Sequence, residues 1–177
     1  YQVRVEGVEK PINIVTVHLK NGKYGYGVPK EKQKESADRY EGEQHRVKEM
    51  ACILDHTVRK SKNPDKELWI MAGDFNSVSP LDKANYGEGD MRLWVHEYIL
   101  NNTPYVDVIR DKFPSETLTS TGSDTYRIDF MYLSPAMMKD VPYADIIKDY
   151  FTMMVDSGVD KFKHPSDHLP ILVHVRL

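Results

Sequence analysis

Residues 68–77 read L-W-I-M-A-G-D-F-N-S. A short apolar run, 68–72, stops at Gly73 and passes directly into Asp74 and Asn76. An apolar run of that length bounded by a turn residue predicts a buried strand. A carboxylate at the end of such a strand is costly to bury unless it is paired, bound to a metal or capping a turn. Taken alone, Asp74 is most simply a turn cap. The rest of the chain decides whether it is more.

Upstream, residues 12–19 (I-N-I-V-T-V-H-L) are β-branched and apolar on both faces, and His18 shares a face with Ile12, Ile14 and Thr16. Residues 1–6 alternate polar and apolar, so the short link 7–11 predicts a hairpin whose second strand is buried. Val47, Met50, Ala51, Leu54 and Val58 recur at helical spacing within 41–60, and 90–101 repeats the pattern with Met91, Trp94, Val95, Tyr98 and Ile99. Downstream, a short strand is expected at 106–109. A second alternating strand is expected at 127–133, where Asp129 shares a face with Met131 and Leu133. A further strand is expected within 141–149. The last, 171–177, sets Ile171, Val173, Val175 and Leu177 on one face directly after Asp167 and His168. Residues 20–38, 103–126 and 152–166 read largely as irregular chain. If 68–72 and 171–177 are antiparallel neighbours, Asp74, Asn76, Asp167 and His168 meet at one sheet edge. The pattern predicts one layered α/β (α+β) domain over residues 1–177, without repeats or an internal linker.

Composition narrows the function. The chain has 177 residues, 40% hydrophobic and 29% charged, which is ordinary for a globular domain. Lys+Arg 24 against Asp+Glu 27 leaves a net charge of −3, which argues against gripping nucleic acid by bulk charge alone. No apolar stretch approaches the ~18 residues of a membrane-spanning helix. The single cysteine, Cys52, excludes an intrachain disulfide and a cysteine zinc site.

The remaining polar residues form a pattern. His18, Asp74, Asn76, Asp129, Asp167 and His168 all stand inside or at the ends of apolar strands. Each alone has a plain explanation, as a turn cap or a hydrogen-bonded core histidine. Together, acidic oxygens with one or two histidines and no cysteine suit a hard divalent cation, Mg²⁺ or Mn²⁺. Such an ion with Asp and His serves phosphoryl transfer or phosphate-ester hydrolysis. Residues 20–35 hold five lysines (Lys20, Lys23, Lys30, Lys32, Lys34) with Tyr24 and Tyr26 between them. That composition suits phosphate contact and stacking, although a solvated loop has the same look.

The segments V-T-V-H-L, G-D-F-N-S, R-I-D-F and S-D-H-L-P, in this order and at these separations, resemble the endonuclease/exonuclease/phosphatase superfamily. Each is weak alone, and the series covers the chain from about residue 12 to 177. The resemblance implies a DNase I-like layered sandwich of mostly antiparallel sheets flanked by helices. It implies a Mg²⁺-dependent (or Mn²⁺-dependent) phosphoesterase acting by direct water attack on a nucleic acid, an inositol phosphate or a phospholipid head group. By the same resemblance, Asp74 activates the water with help from Asn76. His168 binds a non-bridging phosphate oxygen, Asp129 holds the other nitrogen of His168, and His18 touches phosphate or leaving group. Asp167 lies at the metal, directly or through water. Lys23, Tyr24 and Tyr26 are expected on the substrate from the composition of their loop, and Arg127 is expected on the substrate or in a structural role beside the site. The family's early strand with an Asn, and the later strand whose Glu is its principal metal ligand, have no counterpart here. The chain therefore resembles the C-terminal part of the domain, with the N-terminal strands absent. Two expectations follow. The uncovered sheet favours a homodimer or association with the missing N-terminal segment. The alternative to an enzyme is a catalytically inactive binding module on the same fold.

Overall fold

The computed structural model describes residues 1–22, 32, 41–85, 93–115, 121, 126–148 and 168–177. The expected loops beyond residue 22, at 116–120 and 122–125, and at 152–166 lie outside the described residues.

The elements run β1 (Gln2–Val3), β2 (Ile12–His18), α1 (Glu41–His56), a 3₁₀ turn (Val58–Lys60), β3 (Leu68–Asp74), a 3₁₀ segment (Pro80–Asn85), α2 (Trp94–Asn102), β4 (Val106–Asp107), α3 (Val108–Lys112), β5 (Asp129–Leu133), a 3₁₀ turn (Met137–Lys139), β6 (Tyr143–Ile146) and β7 (Ile171–His174). Five strands form one sheet in the order β1-β2-β3-β5-β4, and β6 and β7 form a second. The predicted hairpin is present, with β1 antiparallel to β2. β2 runs parallel to β3, the crossover that α1 supplies, and β5 is antiparallel to β3.

Two expectations need correction. The 68–72 and 171–177 strands are not neighbours: β3 lies between β2 and β5, and β7 pairs with β6. The alternation in 171–177 marks a half-buried strand without naming its partner. The expected strand at 106–109 is only Val106–Asp107, because the Asp107 side chain accepts from the Arg110 N–H and starts α3.

Each strand's period of two divides the core between the two faces of the large sheet. Val15, Val17, Met71, Phe130 and Tyr132 pack under Met50 and Leu54 of α1 and Val95 and Ile99 of α2. Ile12, Leu68, Ile70, Met131 and Leu133 pack against Val108 and Ile109 of α3, Ala144 and Ile146 of β6, and Leu169 and Ile171. His18, Asp74 and Asp129 continue this second set at the end of the sheet where β2 and β3 finish and β5 begins.

Candidate active site at the strand ends

Register brings three of the expected side chains together. His18 is the cross-strand partner of Asp74, and Asp74 that of Asp129. Directly opposed residues project to the same face with Cβ atoms roughly 5 Å apart.

β2 and β3 approach very closely at this edge. Gly73 lies opposite Val17, at φ +143, and a Cβ on it would stand 1.9 Å from the Val17 carbonyl oxygen. Only glycine fits there. The chain then turns sharply at Asn76, at φ 48, a conformation that Asn tolerates better than most L-residues. The turn directs both nitrogens of Asn76 to the same carboxylate. Its N–H donates to Asp74 Oδ1 (2.7 Å), and its Nδ2 to Asp74 Oδ2 (3.0 Å) and to the Leu19 carbonyl (3.0 Å). The Leu19 N–H donates in return to the Asp74 carbonyl (3.0 Å). His18 Nε2 stands 3.7 Å from Asp74 Oδ2, within ion-pair range, and its side chain is 76% exposed.

Asp129 faces the fourth group. His168 Nδ1 donates to Asp129 Oδ2 at 2.8 Å. His168 is brought there without strand pairing. The Leu169 N–H donates to the Thr121 carbonyl (2.8 Å), while the Thr121 hydroxyl accepts from the N–H groups of Ile128 and Asp129 (3.0 and 2.9 Å). Thr121 thus links the start of β5 to the approach to β7, a role that no motif or spacing in the sequence marks. Burial pushes the Asp129 carboxyl above its ordinary value, with the Asp74 charge adding to the rise, against hydrogen bonds from His168 and Thr121 that pull it down. Asp129 and His168 open onto a cleft of about 340 Å³ with Ala72, Met131, Leu169 and Pro170 as apolar walls.

So His18, Asp74, Asn76, Asp129 and His168 converge on one edge. Arg127, expected on the substrate, does not join them. It is 1% exposed, with its guanidinium on Asp107 (3.1 and 2.5 Å) and on Asp82 (2.8 Å) and its plane over the Phe130 ring. Those contacts occupy it inside the fold. Lys23, Tyr24, Tyr26 and Asp167 lie outside the described residues. Among the described residues, no group of three or more His, Cys, Asp or Glu could hold a metal ion. The carboxylates present are taken up by neighbours, Asp74 by Asn76 and Asp129 by His168.

No protein-family model matches the sequence. No curated protein matches it either. Solved structures do match. An AP endonuclease from Archaeoglobus fulgidus superposes with a TM-score of 0.64 at 15% identity, over 94% of this chain and 62% of that one. A 3′ phosphatase, NExo, from Neisseria, bound to product DNA hairpin, gives 0.61 at 18% identity, over 99% and 64%. The 3′-5′ exonuclease NExo from Neisseria meningitidis gives 0.61 at 17% identity, over 94% and 62%. The fold is therefore the DNase I-like endonuclease/exonuclease/phosphatase fold, and the chain spans under two thirds of the length of these structures.

Proposed function

We propose that this edge is the water-activating and phosphate-binding side of a phosphoesterase site, which hydrolyses a phosphodiester or phosphomonoester by direct attack of water. One observation carries the reading: five side chains from four separate segments meet at one sheet edge, four of them in two hydrogen-bonded pairs, Asn76 with Asp74 and His168 with Asp129, and His18 3.7 Å from Asp74. The fold supports it, since the neighbours are described as nucleases and a phosphatase.

In this reading Asp74 takes a proton from the attacking water as oxygen bonds to phosphorus and the ester oxygen departs. Asn76 fixes the carboxylate through both oxygens, so its lone pairs keep one direction. Asp129 accepts from Nδ1 of His168 and so directs Nε2 towards the phosphate. There it donates to a non-bridging oxygen, where negative charge grows in the transition state. His18 is exposed enough to meet the phosphate or the leaving group. Dependence on Mg²⁺ or Mn²⁺ belongs to the proposal through the family resemblance and Asp167, and no step above runs through the ion. DNA is the favoured substrate class, because one of the similar structures is described with a product DNA hairpin.

The test uses the protein as encoded. Asp74→Asn and His168→Ala are each expected to lower divalent-cation-dependent hydrolysis at least ~100-fold with the melting temperature kept. Nicked, abasic and 3′-phosphorylated DNA should be compared with inositol phosphates and phospholipid head groups. Undiminished turnover in either variant defeats the role assignment. Saturable binding with no turnover on any substrate favours the binding module.

A further inference from the structure

None of these roles uses a buried ion pair that lies beside the site. Glu43 and Arg46 of α1 are 1% and 2% exposed. Arg46 Nε and Nη2 meet Glu43 Oε2 at 2.9 and 2.8 Å, while Nη1 donates to the carbonyls of Lys20 and Gly22, both at 2.9 Å. The other Glu43 oxygen, Oε1, accepts from the Ser77 hydroxyl (2.8 Å) and from the Val95 N–H in the first turn of α2 (3.0 Å).

A buried pair of this kind adds little net stability over apolar residues of the same shape, since desolvation offsets most of the attraction. What it does supply is direction, because each bond has a fixed geometry. The segments it holds are the informative part. Lys20 and Gly22 follow β2 just after His18, and Ser77 follows Asn76. Between them Leu19 exchanges hydrogen bonds with Asp74 and Asn76. A shift of the Lys20 carbonyl moves Leu19, and with it the acceptor that aims the Asn76 amide at Asp74.

We infer that Glu43 and Arg46 are positioning residues. Through one buried pair they lock the exits of β2 and β3 together and so set the distance and angle between His18 and the Asp74–Asn76 unit. Glu49 is a second tie from α1, accepting from the Lys20 N–H at 2.9 Å, so the hold on β2 is shared. The kinetic part of this inference rests on the proposed hydrolytic role, whereas the structural part does not.

The test is the double variant Glu43→Gln/Arg46→Met, which keeps volume and keeps acceptors for Ser77 and Val95 while leaving no lone buried charge. Amide hydrogen exchange is read at Leu19 and Asn76 and, as reference, at Phe130 and Tyr132. Exchange at Leu19 and Asn76 should rise at least ~10-fold, with the reference amides within about twofold, because the loss is local. In the assay above, kcat should fall at least ~10-fold and KM change less than about threefold, as expected when geometry rather than affinity is lost. A uniform rise at all four amides, or none at Leu19 and Asn76, overturns the inference and leaves the pair a general stabiliser. If the double variant does not fold, Arg46→Lys gives the same comparison, since an ammonium cannot serve Glu43 and two carbonyls with the guanidinium's geometry. If the unaltered protein hydrolyses nothing, the proposed function fails while the exchange result still decides this inference.

Discussion

At the scale of single residues, Gly73 is the tightest constraint on the site. The Val17 carbonyl occupies the space its Cβ would need, so an added methyl must push β2 from β3 at the point where His18 and Asp74 are paired. Gly73→Ala is expected to cost about 2–5 kcal/mol, from overpacking plus a left-handed backbone. Gly7 is the control: it is also at positive φ (+81), but a Cβ there meets nothing within 4 Å. Gly7→Ala should cost only the backbone part, about 1–2 kcal/mol. Urea unfolding of both variants decides the matter, and equal losses would mean that the close approach relaxes easily. The chemistry of this turn was legible in the sequence, since G-D-F-N sets a carboxylate and an amide at the end of a buried strand. Its geometry was not, because neither the φ of Gly73 nor the approach of Val17 exists until β2 is known to pair with β3.

At the scale of elements, Arg127 shows how far a period-two reading carries. Arg127 and Asp129 are two residues apart, a spacing that puts both on one face of a continuous strand, but β5 begins only at Asp129. Before it, the Thr121 hydroxyl takes the N–H groups of Ile128 and Asp129, and Arg127 turns inward. There it joins Asp82 of the 3₁₀ segment to Asp107 at the β4–α3 junction, and Arg110 of α3 also bonds Asp82. Two arginines and two aspartates leave the cluster neutral. Burial alone would lower the Arg127 pKa, but Asp107 and Asp82 outweigh it and raise it. Arg127→Met leaves the Asp107 carboxylate, 2% exposed, without its cation while Asp82 keeps Arg110, at an expected cost of about 3–5 kcal/mol. Adding Asp107→Asn should restore part of that. A substrate-binding arginine would instead raise KM at an unchanged melting temperature, so one melting curve beside one KM measurement separates the two roles. The pairing of β7 was illegible for a related reason: alternation identifies a half-buried strand, but the choice between β3 and β6 as partner depends on what already flanks β3.

At the scale of the whole molecule, a titratable side chain of α2 ties that helix to the strands. His96 of α2 is fully buried, its ring centroid 4.0 Å from that of Phe130. Nδ1 lies 2.7 Å from the Tyr132 hydroxyl and Nε2 3.3 Å from the Ser77 carbonyl. The carbonyl can only accept, so Nε2 carries the proton and Nδ1 accepts from Tyr132. One neutral imidazole thus ties α2 to β5 and to the exit of β3. Burial, with Arg127 and Arg46 adding repulsion, lowers its pKa to about 3. The folded protein therefore resists a proton that the unfolded chain takes up near pH 6.5. His96 costs no stability above that value. Below it the unfolded state binds the extra proton, so stability falls with pH until the folded pKa is reached, by at most about 1.4 kcal/mol per pH unit. His96→Gln keeps a donor for Ser77 and an acceptor for Tyr132 but does not titrate. Between pH 7 and pH 5 the unaltered protein should lose about 2 kcal/mol more than this variant, measured by urea unfolding at each pH. The other histidines and the carboxylates are common to both proteins and cancel in the difference. Parallel curves would show that His96 takes a proton without unfolding, which requires the contacts among α2, Tyr132 and Ser77 to open locally, and the strand-end site would then rest on a less rigid base than its bonds suggest.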